Sequence, residues 1–237
     1  MSYFSPLINP ATRNQPSGIC GLYACKTILN ESRPVCTKEY NLTGKYLDGA
    51  DNPDVWFPIA AGTGSVVYSN RYLTITSSTG GPAGNRAVID QTAFPIAGNF
   101  EETSCRIGSV VAGTGGVRNI AIGFQNAFTG FRSAARATFY YNGTNWYIGY
   151  NGGSVAVAGL PIGRELRTGD IITVRLDRQE GSSNIDIARF YVNGQKQYET
   201  THIPAVNCYS GIGVFNDADT TAAMSISIDY FGCKYVP

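Results

Sequence analysis

The chain has 237 residues, 43% hydrophobic and 12% aromatic, which suits one large all-β domain or two small ones with a sizeable core. A net charge of +1 excludes the strongly basic surface of an obligate nucleic-acid or anionic-membrane partner. Only 15% of residues are charged, and 28 Gly and 11 Pro follow no fixed period, which excludes a collagen-like chain and leaves solubility to Ser, Thr, Asn and turns.

Residues 1–40 carry Pro6, Pro10, Pro16 and Pro34 and show little alternation. Proline removes a backbone donor and fixes φ, so this segment is expected to be an extended N-terminal arm. Such an arm either lies across a neighbouring molecule or wraps its own domain. Its opening, MSYFSPLINPATRNQ, lacks the charged start and apolar core of a secretory signal. Of the six cysteines, Cys20, Cys25 and Cys36 fall in this segment and Cys105, Cys208 and Cys233 in or beside apolar runs. The content is too low for a disulfide scaffold, and buried free thiols are the expectation, with disulfides or metal as alternatives.

From residue 41 to 237 the chain is expected to be one β-sandwich. Val66–Tyr68 and Tyr72–Thr76 form a hairpin pattern around Ser69-Asn70-Arg71, and Arg86–Gln91 follows a Gly/Pro-rich loop. Phe100–Val111 alternates over its whole length, with Phe100, Glu102, Ser104 and Arg106 on one side. Val117–Phe124, Phe131–Tyr141, Trp146–Tyr150 and Ser154–Ala158 come next, with Asn142-Gly143 as a turn signal. Gly169–Thr200 then reads strand, polar loop, strand, Asn193-Gly194 turn, strand: an antiparallel meander. Tyr209–Phe215 and Met224–Phe231 close the chain, with Met224, Ile226, Ile228 and Tyr230 expected on one face of the last strand. About a dozen short strands with Gly-rich turns and no convincing helix imply a two-sheet antiparallel sandwich.

Side chains suited to sugars, aromatic faces beside amides, concentrate at Tyr140, Tyr141, Asn142, Asn145, Trp146 and Tyr147. The same aromatics also suit cross-strand pairing and core filling. Asn216-Asp217-Ala218-Asp219 is an oxygen-rich loop, and calcium takes six to eight hard oxygens, although an Asp-rich turn also serves its own backbone. No catalytic residues are assigned. The sole histidine, His202, lies in a loop with no G-x-S-x-G elbow in the chain, and Gly113-Thr-Gly-Gly116 lacks the Lys-Ser/Thr of a phosphate loop.

The succession GDIITVRLDR, IARFYVNGQ, YSGIGVFND and SISIDYFGCKYV resembles the concanavalin A-like lectin/glucanase superfamily, especially its laminin-G-type branch. The resemblance covers roughly residues 100–237. It implies a jelly-roll sandwich, a carbohydrate-binding type of surface, and a structural calcium with Asp229 in the place of a ligand. The superfamily's glucanases carry E-x-D-x-x-E on one strand. Here the nearest match, Asn184-Ile185-Asp186-Ile187-Ala188-Arg189, keeps only the middle Asp. A retaining glycosidase needs two carboxylates about 5 Å apart, so the expectation is no enzyme.

The expected function is therefore a non-enzymatic structural or recognition protein of a phage or virus particle, such as a head decoration, fibre or tail component. It would be assembled in the host cytoplasm and joined to copies of itself or other particle proteins through residues 1–40. The alternative is a secreted or cell-surface glycan-binding lectin, and a third reading is a diverged glycoside hydrolase.

Overall fold

The computed structural model of the protein describes residues 38–48, 56–61, 64–79, 84–90, 100–125, 135–151, 153–178, 185–200, 203–204, 207–217 and 219–236, with backbone alone for residues 38, 56–61, 84–90 and 135–136. The expected arm before residue 38, Cys20, Cys25, Cys36, Asn184 and His202 lie outside the described residues. Among the described residues no helix is long and apolar enough to cross a membrane.

Among the described residues sixteen strands, β1–β16 in chain order, form two antiparallel sheets. The nine-stranded sheet holds β1 (Lys38–Thr43), β3 (Ser65–Ser69), β4 (Tyr72–Thr76), β6 (Phe100–Val111), β11 (Ile171–Arg178), β12 (Ile185–Val192), β13 (Gln195–Glu199), β14 (Ile203–Pro204) and β16 (Ser225–Val236). Its main order is β13-β12-β11-β6-β16-β4-β3, with β1 paired to β16 and β14 to β12. The seven-stranded sheet runs β10 (Gly153–Ala156), β9 (Trp146–Tyr150), β8 (Ala135–Tyr141), β7 (Arg118–Gln125), β15 (Tyr209–Asn216), β5 (Gly84–Asp90) and β2 (Trp56–Ala61). This is the two-sheet antiparallel sandwich that the alternation and turn signals imply, arranged as the jelly roll that the resemblance implies.

Period-two patterning explains the core. Ile172, Val174 and Leu176 of β11 are buried while Thr173, Arg175 and Asp177 are partly exposed, because successive side chains leave a strand on opposite faces. On β12, Asp186, Ala188, Phe190 and Val192 face inward. Across the gap, Phe139 meets Phe190 edge to face at 5.5 Å, and the Ser210 hydroxyl donates to Thr103 Oγ1 at 2.7 Å. Cys105, Cys208 and Cys233 are buried thiols, as their place in or beside apolar runs implies.

Turns follow their side chains. Asn193-Gly194 and Asn70-Arg71 both take positive φ at two successive positions, the geometry of a type I′ hairpin. At Asn142-Gly143 only the glycine has positive φ. There the chain makes a longer turn, closed by an Asn142 N–H bond to the Asn145 carbonyl. Asn142 Oδ1 accepts the N–H groups of Thr144 and Asn145 at 3.0 and 2.9 Å.

One expectation about the last strand does not hold. The β6–β16 register slips twice, between Ile226 and Ile228 and again between Ile228 and Tyr230. The first slip places Gly108 of β6 so close to Ser227 that an added Cβ would stand 2.7 Å from the Ser227 carbonyl oxygen. The second inserts Asp229 as an extra residue opposite Arg106, so Phe231, and not Tyr230, rejoins the buried face of Ile226 and Ile228.

Candidate functional site

A cleft of about 270 Å³ opens at one end of the sandwich. Its walls come from β6 (Ile107, Gly108, Val110), the β8–β9 turn (Tyr141, Thr144, Trp146) and the β10–β11 connection (Glu165, Leu166, Arg167, Thr168). That connection is pinned to the sheet: Gly169 N–H donates to the Ile107 carbonyl at 2.7 Å, and Thr168 Oγ1 to the Gly108 carbonyl at 2.8 Å. Leu160 and Leu166 close the sandwich beneath it.

Asp170 organises this loop. Its carboxylate takes two bonds from the Arg164 guanidinium at 2.7 and 2.8 Å, one from the Arg167 N–H and one from the Asn193 amide. The paired guanidinium, helped by those N–H donors and opposed by burial, holds its pKa down to about 2. Arg164 is held by Asp170, and Arg167 is an exposed residue of the cleft wall.

The aromatic part is the pair Tyr141 and Trp146, with ring centroids 5.3 Å apart. Glu165 Oε2 accepts the Trp146 N–H at 2.8 Å, which fixes the carboxylate against the aromatic wall. Burial raises the Tyr141 pKa; Arg118 opposes the rise and Glu165 adds to it. Arg118 anchors the adjoining loop through the carbonyls of Ala112, Gly115 and Gly116. Gly143 has a φ of +93, which favours glycine there; a Cβ would also press on the movable end of Arg118, 2.9 Å away.

The six residues singled out for sugar binding divide between two faces. Tyr141 and Trp146 border the cleft, Trp146 as a core side chain only 4% exposed, while Tyr140 and Tyr147 stack on the other side of the seven-stranded sheet, 5.1 Å apart and 16° from parallel. Asn142 holds the turn, and Asn145 is exposed at its end. Glu165, Arg167, Thr168 and Asp170 were not among the expected site residues. Their signal is a run of charge, GRELRTGD, between strands of a chain poor in charge.

The acidic residues named for calcium do not form an oxygen cage. Both oxygens of Asp229 are held by Arg106, at 2.6 and 2.9 Å. Asp217 Oδ2 accepts the Val117 N–H, and Oδ1 the Asp219 N–H and the Thr220 hydroxyl, which makes it the clasp of its own loop. Among the described residues no three His, Cys, Asp or Glu side chains gather as a metal set.

At the opposite end of β6, Glu101 and Asp186 share one buried cation. Arg178 Nη1 donates to both Asp186 oxygens at 2.9 Å and Nη2 to Glu101 Oε1 at 3.2 Å. Both carboxylates are wholly buried, so the one acid retained from the glucanase pattern points into the sandwich and away from solvent.

The sheet order and the register of the two layers define a concanavalin A-like jelly roll. No protein-family model matches the chain, and no curated protein matches it. Among solved structures, a protein of unknown function from Shewanella oneidensis MR-1 aligns over 99% of this chain and 97% of its own at a TM-score of 0.53 and 14% identity. The Emp46p carbohydrate recognition domain aligns over 78% of this chain and 90% of its own at 0.50 and 9%. A sialidase aligns over 81% of this chain but 18% of its own length, at 0.51 and 9%. Identities this low show a common fold, and a fold of this kind hosts many activities.

Proposed function

We propose that the protein is a non-catalytic recognition module that takes a sugar unit of a glycan in the end cleft. The observation that carries this reading is the set of groups in that cleft: the Tyr141–Trp146 wall, the Glu165 carboxylate held beside it, and Arg167, Thr144 and Thr168 around the mouth. Aromatic faces stack on the C–H side of a sugar ring, and a carboxylate with hydroxyl and guanidinium neighbours serves its hydroxyls. A volume of about 270 Å³ is near the lower end of small-molecule sites, which suits one ring and leaves the rest of the chain outside. The inward, Arg178-bound placement of Asp186 supports the non-catalytic part of the reading.

The test is glycan-array binding followed by calorimetry on the best hit. Tyr141→Ala and Glu165→Gln are expected to weaken binding at least tenfold each with an unchanged circular dichroism spectrum. Binding that survives both, yet is lost in Tyr140→Ala, would move the site to the far face of the sheet and end this reading.

For setting, we propose display on a phage or virus particle, with attachment through residues 1–40. Support is the low charge and the proline-spaced opening segment. Particles assembled with a chain lacking residues 1–37 should carry none of it; undiminished incorporation would place the attachment elsewhere, and particles that take up no full-length chain would speak for the free lectin alternative.

A further inference from the structure

We propose that the protein associates with a second copy of itself through the free edge of β3, the two strands pairing antiparallel about Val67 to join the nine-stranded sheets of both copies. An edge strand presents a row of unpaired backbone N–H and C=O groups, and soluble proteins blunt such edges with charge, proline, bulges or shortness. The other edges among the described strands carry those guards. β13 bears Lys196 and Glu199 and follows an irregular register at Phe190/Tyr191; β14 contains Pro204; β2 contains Pro58; β1 bears Lys38 and Glu39; β10 has only four residues.

β3 carries none of them. Its sequence is Ser-Val-Val-Tyr-Ser, its pairing with β4 is regular from Ser65 to Ser69, and among the described residues no strand lies on its other side. Val67 is 51% exposed at its centre. Moving inward on the same face, Val67 is followed by Thr74 of β4 and Ser227 of β16, so no charge opposes close approach of another sheet.

The choice of a second copy comes from the strand itself. Antiparallel pairing centred on Val67 sets Ser65 against Ser69, Val66 against Tyr68 and Val67 against its own counterpart. Small polar residues then meet on the outer face, and the half-buried Val66 and Tyr68 close the seam between the two cores. The strand is thus complementary to itself under a two-fold axis, the requirement of an isologous dimer. This inference does not depend on sugar binding.

The test uses the full chain in sedimentation velocity at about 50 µM. Wild type should run as a dimer. Val67→Lys and Val67→Glu should each run as monomers with unchanged circular dichroism, since each sets like charges face to face. Mixing the two variants should restore the dimer, because Lys and Glu then oppose each other across the axis. Val111→Lys, equally exposed at 53% but away from the edge, should remain dimeric. A monomeric wild type overturns the proposal, and so does a dimer that survives Val67→Lys or a mixed sample that stays monomeric.

Discussion

Arg178 carries one positive charge and faces two carboxylates inside the sandwich. Among the described residues, the titratable groups around Glu101 are Arg178 of β11, Asp186 of β12, the Cys208 thiol ahead of β15 and Tyr235 of β16. Burial dominates and lifts Glu101 to about 7, with Arg178 pulling it back down. The unfolded chain releases this proton near the ordinary carboxylate value of 4.5, so between about 4.5 and 7 the folded state holds more protons. Stability therefore falls as pH rises through that window and levels off above it, by on the order of 3 kcal/mol at ~1.4 kcal/mol per unit. Urea titrations at pH 4.5, 6 and 8 should show the decline. Glu101→Gln should remove most of it, because a neutral amide still accepts from Arg178 and leaves Asp186 as the sole partner charge. A wild type whose stability rises over this range would contradict the burial of an uncompensated charge.

At the scale of elements, β16 shows how a single extra residue redirects a strand. The sequence alternates cleanly from Met224 through Tyr230, and strict alternation predicts Tyr230 in the core. The bulge at Asp229 shifts the phase and Phe231 takes the buried place, stacked near Tyr40 of β1 at 6.2 Å. Arg106 clamps the bulge with a two-point ion pair, an arrangement invisible in sequence because its partners are 123 residues apart. Asp229→Asn should lower stability by about 1 kcal/mol, the worth of a partly exposed bidentate pair, with the same loss in calcium and in chelator. A loss confined to calcium-containing buffer would make Asp229 a ligand instead. Local period and turn chemistry made most strands legible, including the meander after Gly169 and both edges of the β3–β4 hairpin. β1 and β2 escaped notice because proline and short polar stretches hide their alternation. The cleft was half legible: Tyr141 and Trp146 stand out by type, but Glu165 and Arg167 sit in an aperiodic loop whose placement depends on Asp170 meeting Asn193 of the neighbouring β12–β13 turn.

For the whole molecule, the pairings that close the fold join distant parts of the chain. β16 pairs with β1, β4 and β6, so the last strand lies in the middle of a sheet begun near residue 38. β15 likewise separates β5 from β7 in the other layer. Loop closure must precede the reward of such contacts, which makes a sandwich of this topology a slow folder with little stable structure until its end is available. A chain ending at Met224 would lack the strand that, among the described residues, joins β6 to β1 and to the β4–β3 pair, and would expose Cys105, Ile107 and Ile75. Burying one large aliphatic side chain is worth about 1.5–3 kcal/mol, and β16 buries Ile226, Ile228, Phe231 and Val236. Their sum is comparable with the whole ~5–15 kcal/mol margin of a folded domain. The truncated chain should therefore be unfolded or insoluble, with rapid proteolysis of β6 and β11 and loss of the strand signal in far-ultraviolet circular dichroism. A soluble, protease-resistant product with native strand content would mean that the seven-stranded layer folds by itself, and that the two layers are less interdependent than their shared core implies.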